Sequence, residues 1–182
     1  MGVLARVWDL LRPRRAPVAP APPTRTPSPS PHATRDRSAE ASRAGAASVV
    51  EVPLPPKRGL RLAYEPRPDA LPDPGEIVWA WVPYEEDPAR GKDRPLLVLA
   101  RADGGRSWAM KLTSKPHDGE RDHLPLGTGD WDRQGRPSWL DVDQIYLVPA
   151  HGIRREAGGL GRDGFRRVAA ALAQRYGWTD AG

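Results

Sequence analysis

Apolar and polar residues change their spacing twice along this chain. Val3, Leu4, Val7, Leu10 and Leu11 recur at helical intervals until Pro13 ends the run, which predicts at most a short amphipathic helix over 1–12. From Pro13 to about Ala47 neither a helical nor an alternating pattern survives, and Pro, Ala, Arg and Ser crowd the segment. Such a stretch buries too little apolar surface to offset the about 1–2 kcal/mol per residue that ordering a backbone costs. A disordered, partly polyproline linker is therefore expected over 13–74. Its last part, 48–74, holds small apolar clusters (Val49, Val50 and Val52; Leu60, Leu62 and Tyr64). Flanking prolines limit these to edge positions along a domain.

From Gly75 short β-type runs alternate with turns, so the folded domain is expected over 75–182. Glu76–Val82 sets Ile77, Trp79 and Trp81 on one face and Val78, Ala80 and Val82 on the other, the pattern of a central strand buried on both sides. Pro95–Ala100 and Ser107–Leu112 flank the turn sequence Ala102-Asp-Gly-Gly105 and predict a hairpin. His123–Leu126, Ser138–Val142 and Gln144–Pro149 are further strands. Phe165, Val168, Ala169, Leu172 and Tyr176 then follow a helical stripe, with Asp163 near its start and Gly177 just past its end. The fold class is mainly β (α+β): a small twisted antiparallel barrel with a C-terminal helix packed on it. Trp131, between two aspartates, fits either the core or an exposed loop.

Charge sharpens this division. The net charge is +5, but residues 1–74 hold 12 Lys+Arg against 7 Asp+Glu, and residues 75–182 hold 16 of each. Any anion-binding face on the domain must be local rather than global. The absence of cysteine excludes disulfides, thiolate metal sites and cysteine nucleophiles. No apolar run approaches the about 18–20 residues of a membrane span. Glycines 158, 159 and 161 precede a helix without a strand before them, so no nucleotide-binding loop is expected. His117 and His123, with Asp118 and Asp122, lack the spacing of a helical ligand pair and read as solvated loop residues, so no metal and no cofactor is expected.

Chemistry concentrates at two strand ends. Gly91-Lys92-Asp93-Arg94-Pro95 sets an arginine just before an apolar strand, and Thr113-Ser114-Lys115 follows another. If those ends adjoin, a guanidinium fork and two hydroxyls equip the site for a phosphodiester. The alternative is that Arg94 pairs with Asp93 or a loop carboxylate and Thr113-Ser114 form a simple turn.

GEIVWAWVPYEEDPARGKDRPLLVLA, then MKLTSK, then VDQIYLV, in this order before a terminal helix, resembles the MazF/PemK family of type II toxin–antitoxin ribonucleases over about 75–178. The length and the GRPSW segment are similar to an actinobacterial-type branch. The resemblance implies an SH3-like barrel that homodimerises in the cytoplasm, binds a cognate antitoxin protein and cleaves single-stranded RNA (mRNA) without metal. The 2′-hydroxyl would attack the adjacent phosphorus, leaving a 2′,3′-cyclic phosphate and a 5′-hydroxyl. By position it implies Arg94, Thr113 and Asp143 as catalytic residues, with Ser114, Lys115, Lys92 and His117 binding substrate. Arg94 is best suited to clamp the phosphoryl group, since a guanidinium gives up its proton poorly.

Two positions depart from the family pattern. Asp141 stands where PemK-type members carry an arginine, and a second carboxylate there would repel the phosphate; if the protein is a nuclease hampered in this way, Asp141→Arg is expected to raise cleavage. Ala89 stands where a glutamate is frequent, with Glu85, Glu86 and Asp87 nearby as substitutes. His117 and His123 are candidates for the proton transfer, or else solvated loop histidines. The alternative function is a catalytically weakened barrel acting as a binding or regulatory module.

Overall fold

The computed structural model describes residues 49–182 apart from 68, 70, 85, 88, 152, 156, 157, 181 and 182, so the helix expected over 1–12 and the linker as far as residue 48 lie outside the described residues. The strands are β1 (Val50–Val52), β2 (Arg61–Leu62), β3 (Ile77–Pro83), β4 (Gly91–Ala102), β5 (Arg106–Thr113), β6 (His123–Gly127), β7 (Ser138–Asp141), β8 (Ile145–Pro149) and β9 (Thr179–Asp180), with the helix α1 (Gly161–Tyr176) before the last. The sequence places β3, β5 to β8 and the helix close to these bounds, whereas β4 begins at Gly91 and takes in Arg94, expected just before it, and β9 has no signal in the sequence; the architecture is the expected one: mostly β, a curled antiparallel half-barrel, one C-terminal helix.

The seven-stranded sheet runs β1-β8-β5-β4-β3, with β7 and β6 continuing from the far end of β5. β5 makes the curl by changing partners. Arg106–Ala109 pair with β8, whereas Leu112 and Thr113 pair with Leu140 and Trp139 of β7. β4 and β5 form the predicted hairpin around a one-turn 3-10 segment, Asp103–Gly105, in which Gly104 and Gly105 both take positive φ at no steric cost.

Alternation along the strands sends side chains into two cores. Ile77, Leu97, Met110, Leu112, Leu140 and Ile145 meet Phe165, Val168, Ala169 and Leu172 of α1 on the concave side. Val49, Val78, Ala80, Val82, Leu96, Val98, Ala109 and Val148 cluster on the other. α1 ends as its sequence predicts, with Gly177 left-handed at φ 69° and its N–H bonded to the Ala173 carbonyl at 2.8 Å.

Two expectations change. β3, read as a central strand, ends the sheet path; its second edge is covered instead by the segment before α1, through backbone bridges from Glu76 to Gly159 and from Trp79 to Arg154. Burial on both faces reflects the two cores, not two strand neighbours. Residues 49–74, expected as the end of the linker, pack on the barrel. β1 pairs with β8, β2 pairs in parallel with β9, and Leu60 and Leu62 are 5% and 0% exposed. The prolines withhold ladder donors but leave carbonyls as acceptors: Pro55 receives the Trp178 indole N–H at 3.0 Å. Trp131 belongs to the core.

Candidate functional site

β4 and β5 bring the two predicted strand ends together. Leu96 faces Lys111, so two further residues along each strand, on the same face, set Arg94 opposite Thr113. The glycine that opens this motif has a packing reason. A Cβ on Gly91 would lie 2.5 Å from the Val82 carbonyl oxygen and 2.6 Å from the Trp81 ring, so only glycine lets the indole rest against β4. Pro95, opposite Trp79, holds the residue before it, Arg94, in an extended conformation.

These ends line a cavity of about 330 Å³ that includes Lys92, Asp93, Arg94, Thr113, Ser114 and Lys115. The alternative in which Arg94 is tied up by Asp93 does not occur, because the Asp93 carboxylate accepts from Arg154 at 2.7 Å. Among the described residues Lys92, Arg94 and Lys115 have no carboxylate partner. The turn that was the alternative for Thr113 is present, since Thr113 Oγ1 accepts the Lys115 N–H at 3.1 Å. That bond holds the hydroxyl oxygen in place and leaves its proton free to donate.

The rest of the lining was not legible in the sequence. It comprises Trp79, Leu112, Trp131, Asp132, Arg136 and Ser138. Trp131 reaches it because Gly129 has no side chain, a Cβ there falling 2.0 Å from the indole, and its Nε1 donates to Ser138 Oγ at 3.1 Å. Arg136 binds Asp132 at 2.7 Å, and this hydrogen bond holds the Asp132 carboxyl below the usual aspartate range. The Trp79 indole N–H is buried without an acceptor. Both carboxylates of the cavity are thus matched by arginines, leaving a surplus of cations and N–H and O–H donors beside two indoles, a lining whose chemistry suits an anion.

Asp143, expected in the site, does not line it. Its carboxylate accepts from Arg175 at 2.6 Å and from the Tyr176 hydroxyl at 2.9 Å, tying the turn after β7 to the last turn of α1. His117 is also elsewhere: its ring stacks on His123 at 3.6 Å and its Nδ1 lies 2.8 Å from Glu120. The two histidines, expected as solvated loop residues or as proton-transfer groups, are half-buried and stacked on each other. Asp141 is not unopposed. Its carboxylate pairs with Lys111 at 3.2 Å, and Lys111 also donates to Gln144, whose amide reaches Glu51 at 3.1 Å. Tyr146, whose hydroxyl donates to Gln144 at 3.3 Å, has its phenol pushed well above the ordinary range by burial first and by Glu51 and Asp141 next. Glu86 and Asp87 are exposed and lie outside the cavity lining, and Glu85 falls outside the described residues.

The family model described as PemK-like, MazF-like toxin of type II toxin–antitoxin system matches residues 73–175. No curated protein matches the chain significantly. Among the described residues no helix is long and apolar enough to cross a membrane.

Proposed function

This chain belongs to the PemK-like, MazF-like toxins of type II toxin–antitoxin systems, and on that premise we propose that the β4–β5 cavity is the active site of an endoribonuclease acting on single-stranded RNA. The observation that carries the reading is Arg94 in the cavity beside Thr113, Ser114 and Lys115, with its guanidinium unclaimed by any described carboxylate. The donors suit a phosphodiester, and Trp79 and Trp131 give the lining an aromatic part beside them.

The reaction needs no metal in this reading. The ribose 2′-oxygen loses its proton and forms a bond to phosphorus while the bond from phosphorus to the 5′-oxygen breaks and that oxygen takes up a proton from water. The products are a 2′,3′-cyclic phosphate and a 5′-hydroxyl. Arg94 stabilises the charge that grows on the non-bridging oxygens, and Thr113 and Ser114 donate to phosphate or ribose. Lys92 and Lys115 bind neighbouring phosphates. With Asp143 turned to the helix, the proton acceptor is drawn from the carboxylates that line the cavity. These are Asp93 and Asp132, each held by an arginine, Arg154 and Arg136 respectively. The toxin–antitoxin context supplies a protein antitoxin as partner, and a cytoplasmic homodimer completes the proposal.

The test is cleavage of a mixed-sequence single-stranded RNA in EDTA, with end-group analysis. Arg94→Ala should lower the single-turnover rate by about 10²–10³, the usual cost of one oxyanion donor, with the melting temperature unchanged. Thr113→Ala should cost less, since a neutral hydroxyl contributes about 0.5–1.5 kcal/mol. Activity of Arg94→Ala within threefold of wild type would overturn the assignment. The displacement of Asp143 from the cavity favours a second reading, a barrel that binds RNA without cutting it. Salt-sensitive RNA binding lost in Arg94→Ala, with no cleavage by the wild type, would establish that one instead.

A further inference from the structure

We propose that His117, Glu120 and His123 form a site for one divalent transition-metal ion of the zinc class, built into the connection between β5 and β6. Ligand atoms of these residues all lie within 4.8 Å of one another. The sequence conceals this because their spacing matches neither a helical pair nor an alternating strand. Two successive tight turns replace both: the Glu120 N–H bonds the His117 carbonyl at 3.2 Å, and the His123 N–H approaches the Glu120 carbonyl at 3.4 Å. Gly119, at φ 80°, permits the first turn. Each turn folds three residues back on themselves, so His117 and His123 end with parallel rings 3.6 Å apart.

The donor set suits this ion class. Both imidazole Nδ1 atoms face the same oxygen, Glu120 Oε2, at 2.8 and 3.6 Å. With bonds of about 2.0–2.2 Å, the ligand atoms of a tetrahedral site stand about 3.3–3.5 Å apart, and because an imidazole lone pair lies in its ring plane, binding requires the two rings to swing out of their parallel stack until both point at the ion. Asp122 Oδ1, 3.0 Å from His123 Nδ1, adds a second carboxylate at the border of the site. The His117 and His123 side chains are 16% and 9% exposed, and that of Glu120 is 51% exposed, which leaves one open side for a water ligand. Two imidazoles with carboxylate and water select zinc-class ions over calcium or magnesium, which prefer all-oxygen shells.

The ion would join a loop to a strand. His123 opens β6 opposite Asp141, whereas His117 lies in the loop that begins at Ser114 and Lys115. Occupancy would therefore tether to β6 the loop whose first residues, Ser114 and Lys115, line the cavity. The inference does not depend on the ribonuclease reading.

The test uses the full chain without an affinity tag, stripped with a chelator that is then removed. Titration with Co²⁺, followed by displacement with Zn²⁺, should show one equivalent bound with the ligand-field absorption of a low-coordinate centre. His117→Ala and His123→Ala should each remove that absorption and weaken Zn²⁺ binding by more than the about 10–100-fold typical of outer-sphere partners. Glu120→Gln should weaken it while keeping shape. Melting of each variant without metal, matching the wild type, establishes that it folds. A control lacking the other two histidines, His32→Ala with His151→Ala, should bind as the wild type does. No Co²⁺ absorption in the wild type, or unchanged binding in either His117→Ala or His123→Ala, would overturn the proposal.

Discussion

Replacing Asp141 tests whether the carboxylate at this family-divergent position is a hindrance to substrate or part of the framework. In the structure it faces Lys111 across the β5–β7 pair at 3.2 Å, with the two side chains 13% and 22% exposed. Its Oδ1 also accepts the Asp143 N–H at 3.2 Å. Exposed ion pairs contribute about 0.2–1 kcal/mol, and removal of one partner from a fully buried pair costs about 3–5 kcal/mol. This pair lies between those limits, so a double-mutant cycle of Asp141→Asn and Lys111→Met should give a coupling of about 1–3 kcal/mol. Asp141→Arg sets a guanidinium against the ammonium, where repulsion of two unit charges at 4 Å is about 4 kcal/mol at an effective dielectric of 20. Bending away from Lys111 relieves part of this, and a net loss of about 2–4 kcal/mol is expected. Urea unfolding of the full chain measures both quantities, with cleavage assayed in parallel. A coupling below about 0.5 kcal/mol would refute the framework reading. So would Asp141→Arg with faster cleavage and undiminished stability, the outcome that an unopposed carboxylate beside the phosphate demands.

The packing of residues 49–74 predicts where the chain can be shortened. Deleting 1–47, which carry no core-forming pattern, should leave the unfolding midpoint unchanged. Starting the chain at Gly75 removes Leu60 and Leu62, each 5% exposed or less. Truncating one such side chain costs about 2–5 kcal/mol, so losing both with β1 and β2 should prevent folding, as circular dichroism would report. A folded chain from Gly75 would restore the linker reading. The Asp132 carboxyl, held low chiefly by Arg136, makes stability fall with acid. Because its folded-state pKa is depressed, its contribution is complete above the ordinary aspartate value of about 3.9 and is lost as pH falls through the lower folded value. The gap in melting temperature between wild type and Arg136→Ala should therefore close below about pH 4, and a gap unchanged down to about pH 2 would remove the pair from the account.

Periodicity alone located most strands, the hairpin and the terminal helix, because a two-residue or helical repeat of apolar positions is a local property that burial then enforces. The motif from Gly91 to Pro95 and the run Thr113-Ser114-Lys115 were legible as chemistry for the same reason: each stands at the end of an apolar strand. Their meeting was a conditional statement until the β4–β5 register set Arg94 across from Thr113. What lay beyond local pattern needed the tertiary structure. Trp131, Asp132 and Arg136 occupy a loop with no period, and reach the cavity only because Gly129 admits the indole. Lys111 opposes Asp141 through a strand pairing far apart in sequence, which decides whether that carboxylate repels substrate or is already neutralised. Asp143 shares its neighbour's motif, yet the bend after β7 turns it to Arg175 and Tyr176. Prolines between Val52 and Lys57 disguised a packed segment as linker, since they erase the alternation that marks a strand while leaving leucines free to enter the core. Sequence fixes which side chains are available and on which face of an element each stands; distances between elements, and hence the sign of every charge interaction in the site, belong to the fold.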